Sequence, residues 1–265
     1  MEHYLLNIAL NHSMDHYLLL ALNGCVEGFF PDGNDINFPE GITAIKDHEY
    51  ENNLEIKNVI IPSTVESIGV DAFKGCVNLQ SIIMPPSLKH IEAGIFAQCS
   101  SLLFLKFPNH PKSIGDGAFS DCVSLRAIFL PWSIKSIGDQ AFLGCINIEV
   151  IRFLSYLTHI GKYAFLNCER LEWVEFSPSL TIISEGTFLG CKSLSQIDIP
   201  LSVKIIEDKA FYGCNNLRSV KLPRDTKLMG DKVFPPCTEI VYYEEPKTWQ
   251  RPAPDNAKVP VTQIV

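Results

Sequence analysis

Apolar residues return along this chain in columns 23 residues apart. Ile56, Leu79, Leu102, Leu125, Ile148, Leu171, Leu194 and Leu217 form one column. Val59, Ile82, Leu105, Ile128, Ile151, Val174, Ile197 and Val220 form a second, and Ile61, Met84, Phe107, Leu130, Phe153, Phe176, Ile199 and Leu222 a third. Within each coil one variable residue separates the last two, the period-2 alternation of a short strand with one buried face. Coils stacked in register turn these strands into a parallel sheet. Proline closes the strand at Pro62, Pro85, Pro108, Pro131, Pro200, Pro223 and Pro246, where the missing amide and fixed φ end pairing; Leu154 and Ser177 break that column.

The return path carries its own columns. After the proline come a small polar residue, an apolar one, and then Ile68, Ile91, Ile114, Ile137, Ile160, Ile183, Ile206 and Met229. Glycine follows at Gly69, Gly115, Gly138, Gly161 and Gly230 and suggests a positive-φ turn, although Glu92, Ser184 and Glu207 occupy the same place elsewhere. Phe73, Phe96, Phe119, Phe142, Phe165, Phe188, Phe211 and Phe234 each stand three residues ahead of Cys76, Cys99, Cys122, Cys145, Cys168, Cys191, Cys214 and Cys237. That spacing lets each pair share one face of a single helical turn on the convex side. A strict period of roughly 20–30 residues means a stacked solenoid, in which each coil touches only its neighbours.

The arrangement Leu-x-x-Ile-x-Leu-Pro-x-Ser-Val-x-x-Ile-Gly-x-x-Ala-Phe-x-x-Cys is nearly complete in Leu79–Cys99 and Leu125–Cys145. It resembles the BspA-type leucine-rich repeat from about Ile56 to Cys237, with a degenerate coil upstream through Ile36, Phe38, Pro39, Ile45 and Tyr50 and weakening toward Tyr243 and Pro246. The resemblance implies an α/β, β-rich solenoid: a curved stack with a parallel concave sheet and short or helical turns on the convex side. It also implies adhesion or protein binding at microbial surfaces and no enzymatic activity. On this reading residues 1–35 form an amino-terminal cap, 36–246 a solenoid of about nine coils with the first and last degenerate, and 247–265 a carboxy-terminal cap or tail. Tyr4–Leu6 and Tyr17–Leu22 are apolar enough to cover the first coil, as helix or as strand.

Composition narrows the function. The 265 residues hold 46% hydrophobic residues, enough for a large core, and a net charge of −8 points away from nucleic acid. No apolar run approaches the ~20 residues of a membrane-spanning helix. The start lacks the basic region and cleavage site of a signal peptide, which argues for the cytoplasm, whereas the resemblance argues for a surface or secreted location.

Candidate chemistry is sparse. Side chains stacked in register hold cysteine Cβ atoms near ~5 Å, beyond the ~3.8 Å a disulfide prefers, so buried reduced thiols are favoured over a disulfide ladder. A linear column cannot wrap four sulfurs around zinc. Cys25 lies outside the ladder and stays unassigned. Asp32-Gly33-Asn34-Asp35 lacks the remaining ligands of a calcium loop and reads as a turn, and Asn11-His12-Ser13 is a formal glycosylation sequon. No nucleophile-base set, carboxylate pair or phosphate loop stands apart from the repeat, so neither catalysis, cofactor nor metal is expected.

What remains is the outward face of the strands. One column runs Ile60, Ile83, Lys106, Phe129, Arg152, Glu175, Asp198, Lys221, and its neighbour Asn58, Ser81, Phe104, Ala127, Val150, Trp173, Gln196, Ser219. Phe104, Phe129, Val150 and Trp173, with Trp132 just past the strand, form a central patch flanked by Arg152 and Glu175. Aromatics beside an arginine suit an interface anchor for a protein or peptide ligand. Such rings also serve as ordinary strand filler or pack under a cap. The alternative role is a structural scaffold that self-associates through its ends or tail. Arg218, Lys221 and Arg224 make a smaller basic spot.

Overall fold

The computed structural model describes residues 35–153 and 156–243. The carboxy-terminal cap, the amino-terminal cap except Asp35, Cys25, the sequon, Asp32-Gly33-Asn34, Leu154 and Pro246 lie outside the described residues.

Two columns of parallel strands build the coil. The long strands are Asn58–Ile60, Ser81–Ile83, Phe104–Lys106, Ala127–Ile128, Val150–Arg152, Trp173–Glu175, Gln196–Ile197, Ser219–Pro223 and Glu239–Tyr243. The short strands are Ala44–Ile45, Ser67–Ile68, His90–Ile91, Ser113–Ile114, Ser136–Ile137, His159–Ile160, Ile182–Ile183, Ile205–Ile206 and Lys227–Leu228. Register follows the sequence period, as in Asn58↔Ser81, Val150↔Trp173 and Ser113↔Ser136. Val59, Ile151, Val174 and Val220 point into the core while their chain neighbours face out. The long column runs as three ladders, interrupted between Phe104–Lys106 and Ala127–Ile128, where Leu105 and Phe107 are only half-buried; Asp198↔Lys221 bridges the last gap.

The expected helical turn does not form: the described residues contain no helix, and the architecture is an all-β solenoid, not α/β. The reason lies in where the amides go. Phe73 and Gly75 donate to Ile95 and Ala97 of the next coil at 2.9 and 2.8 Å, whereas Cys76 turns back to the Phe73 carbonyl at 3.2 Å. A helix would need every amide for its own i−4 carbonyl. Alternate amides are here spent on stacking. Left-handed backbone brackets each phenylalanine from Phe73 to Phe211, at Asp71 and Gly75 around Phe73 and at Tyr163 and Asn167 around Phe165.

That placement also corrects the glycine column. Gly69, Gly115, Gly138 and Gly161 do not take positive φ, and of that column Gly230 alone does, at 121°. Crowding explains the glycines: a Cβ on Gly161 would lie 2.5 Å from the Asp139 amide nitrogen, and one on Gly138 2.6 Å from that of Asp116.

Phenylalanine rings stack along the axis, from Tyr50 on Phe73 to Phe211 on Phe234, with centroids 5.2–5.8 Å apart. Beside them runs the thiol ladder, free of disulfides. Each buried thiol donates to an aromatic residue's carbonyl one coil back, as Cys76 to Tyr50, Cys99 to Phe73, Cys122 to Phe96 and Cys145 to Phe119, all at 3.1 Å. Burial pushes the Cys76 thiol up to about 11 and holds Cys99, Cys122, Cys145, Cys168 and Cys191 far above the ordinary range.

The strict period fails at the end. Leu228, not Met229, pairs with Ile206, so Met229 is 54% exposed. Pro235-Pro236 precedes a shortened step that pairs Val220 with Ile240, and Cys237, expected in the ladder, is exposed.

Candidate interaction surface

Strand alternation places Phe104, Phe129, Val150 and Trp173 on the outward side of the long strands, because Ile128, Leu130, Ile151 and Val174 fill the core. Phe129 is 45% exposed and Trp173 37%, while Phe104 and Val150 are half-buried. Register sets Val150 beside Trp173 and Arg152 beside Glu175 on adjacent rungs. Arg152 Nε meets Glu175 Oε2, with Nη2 3.4 Å from Oε1. The guanidinium is therefore already partnered, and so partly exposed a pair adds only about 0–1 kcal/mol to stability.

Trp132 stands at the corner where the chain leaves the long strand. Ile134 donates to the Pro131 carbonyl at 3.1 Å, closing a turn with Trp132 at its tip, 55% exposed. Its ring lies 5.5 Å from His110 of the preceding coil and 6.0 Å from Tyr156 of the next. Sequence reasoning missed these two partners. His110 and Tyr156 share one repeat position, 46 residues apart, and Ser133 between them leaves room beside Trp132; reading that column would have found the row.

One group of possible metal-binding side chains occurs among the described residues: ligand atoms of His48, Glu51 and Asp71 lie within 4.8 Å of one another. Lys74 Nζ sits 3.0 Å from Asp71 and 3.7 Å from Glu51, so an ammonium already serves these carboxylates. The group is an ion-pair network. Among the described residues no helix is long and apolar enough to cross a membrane.

The stacked parallel strands and their interior ladders define a leucine-rich-repeat solenoid. Residues 32–149 and 135–251 match the model of the BspA type leucine rich repeat region, and the chain belongs to that family. Among solved structures it is similar to the Treponema pallidum leucine rich repeat protein, at 28% identity over 66% of this chain and 82% of that one, with a TM-score of 0.61. It also matches a leucine rich cell surface protein of Faecalibacterium prausnitzii at 22% identity over 79% of this chain and 88% of the other, TM-score 0.33. The pneumococcal vaccine antigen PcpA matches at 17% identity over 78% and 61%, TM-score 0.47. No curated protein matches the chain.

Proposed function

We propose that this chain is a non-catalytic protein-binding module whose long-strand face takes another protein or an extended peptide, in the manner of an adhesin. The observation that carries the reading is the run of outward apolar side chains on successive central rungs. Phe104, Phe129, Val150 and Trp173 occupy it around the Arg152–Glu175 pair, with Trp132 at its corner, whereas the later rungs present Gln196, Asp198, Ser219 and Lys221. Large exposed aromatics encircled by polar groups are the usual anchors of a protein interface. Membership of the BspA type leucine rich repeat family supports a partner outside the chain, because stacked repeats build extended binding surfaces.

The test begins with protein ligands captured by the wild-type chain, identified and purified. Phe129→Ala with Trp173→Ala should weaken each true ligand by more than about 30-fold, since loss of a single anchor of roughly 2 kcal/mol already gives that factor. Unchanged affinity in that double variant overturns the reading. End-to-end self-association draws on the last described rung, where Val241 and Tyr242 are 43% and 50% exposed. Sedimentation velocity over a range of concentrations separates the two, because a scaffold gains mass with concentration and a ligand-binding monomer does not.

A further inference from the structure

We propose that a second surface binds an acidic polysaccharide chain: the corner row His110, Trp132 and Tyr156, together with the lysine column Lys89, Lys112 and Lys135 beside it. These lysines share one repeat position just ahead of the short strands, and all three are exposed. Backbone bonds fix them on adjacent rungs, Lys112 donating to the Lys89 carbonyl at 2.6 Å and Lys135 to that of Lys112 at 2.8 Å. Rungs of a parallel sheet stand about 4.8 Å apart. Like charges held side by side across strands cost stability.

The chain has 30 acidic residues against 22 lysines and arginines, yet among the described residues no carboxylate forms an ion pair with any of the three. Glu66 takes the position one rung before Lys89, and Thr158 takes it one rung after Lys135. The positive stretch is thus bounded at both ends and centred on Lys112. Such a stack answers to an anion from outside.

The aromatic row selects the kind of anion. Lys135 follows Trp132 by three positions, a span of at most ~11 Å. Tyr156 is 57% exposed and Trp132 55%, so both rings offer apolar surface to solvent. A pyranose ring has a C–H face that lies on such a ring and an edge that carries carboxylate or sulfate. Hydroxyls stand next to the lysines, at Ser113 and Ser136, with Ser113 Oγ 2.7 Å from His90 Nδ1. Row and column both run along the solenoid axis, the course a linear polymer of linked sugars would follow. An acidic peptide would satisfy the lysines and leave the rings unused, and the net charge of −8 opposes the dense phosphate of nucleic acid.

The inference is independent of the strand-face reading and shares only Trp132 with it. Calorimetric titration would use a heparin decasaccharide, a polygalacturonate decamer, a neutral chitohexaose and a decameric poly-glutamate, each at several salt concentrations. At least one acidic polysaccharide should bind, more weakly as salt rises. Lys112→Ala with Lys135→Ala should weaken it about tenfold or more, as loss of two charge-assisted contacts implies. Trp132→Ala should weaken it several-fold with the salt dependence unchanged. Lys57→Ala with Lys221→Ala, on other faces, and Phe129→Ala with Trp173→Ala should leave it intact. Binding by neither acidic polysaccharide, equal loss in the Lys57/Lys221 control, or poly-glutamate binding as tight and indifferent to Trp132→Ala would each overturn the proposal.

Discussion

At the scale of single residues, the interrupted glycine column follows from a pairing between coils. Asp47, Asp116, Asp139 and Asp208 are each followed, one coil on, by Gly69, Gly138, Gly161 and Gly230. Val70, Lys162 and Glu185 in the aspartate position are followed by Glu92, Ser184 and Glu207. The carboxylate of Asp116 turns onto the Asp139 amide at 2.8 Å and that of Asp139 onto the Lys162 amide at 2.7 Å, crossing the space where the next coil's Cβ would stand. Gly115, which follows Ala93, is crowded instead by the Ala93 backbone at 2.6 Å. Gly138→Ala should therefore destabilise by about 1–3 kcal/mol through overpacking, read from the urea midpoint. Asp116→Ala in the same chain should recover only part, because the backbone contact remains; full additivity of the two changes would show that carboxylate and Cβ do not compete.

At the scale of elements, strands were legible and turns were not. A period-2 alternation survives in every coil because one face of a strand must be buried, and the observed burial of Val59, Ile151 and Val174 follows it. The Phe-to-Cys spacing is equally strict but ambiguous, since a helical turn and a three-residue turn both bring positions three apart together. What decides between them is a set of hydrogen bonds reaching 22 residues away, such as Phe119 to Ala141 at 2.8 Å, which no local pattern reports. The same limit hid the corner row, whose rings come from three coils, whereas the strand-face residues could be placed by alternation alone. Phe119 is stacked between Phe96 at 5.5 Å and Phe142 at 5.2 Å with Phe107 edge-on, while Phe234 is half-buried and stacks on Phe211. Phe119→Ala should cost about 3–5 kcal/mol and Phe234→Ala clearly less, measured as the shift in urea midpoint. Equal losses would mean that the axial stack adds nothing beyond burial of the single ring.

At the scale of the whole molecule, the thiol ladder ties neighbouring coils together and gives the fold a common sensitivity to alkali. Cys76, Cys99, Cys122, Cys145, Cys168 and Cys191 are held protonated by burial while each donates to a carbonyl of the preceding coil, as Cys122 does to Phe96 and Cys191 to Phe165. Unfolding releases these thiols to an ordinary pKa of about 8.5. The folded values of Cys76, Cys99, Cys122, Cys145, Cys168 and Cys191 are raised, so their contribution is fully present below the unfolded pKa and declines as pH rises above it. Between pH ~9 and ~10 the unfolded chain has lost protons that the folded chain keeps, and each such thiol removes about 1.4 kcal/mol of stability per pH unit. For Cys76 the decline ends near its folded pKa of about 11, and for the deeper five it continues beyond. Unfolding free energies from urea titrations at pH 7, 9 and 10 should thus be lower already at pH 9 than at pH 7 and fall more steeply from pH 9 to 10. Cys145→Ala should start lower at neutral pH, having lost a buried thiol and its hydrogen bond, yet fall less steeply by about 1.4 kcal/mol per pH unit. Stability that is flat from pH 7 to 10, or a slope unchanged in the Cys145 variant, would show that the ladder thiols ionise within the folded solenoid and that the spine is open to solvent.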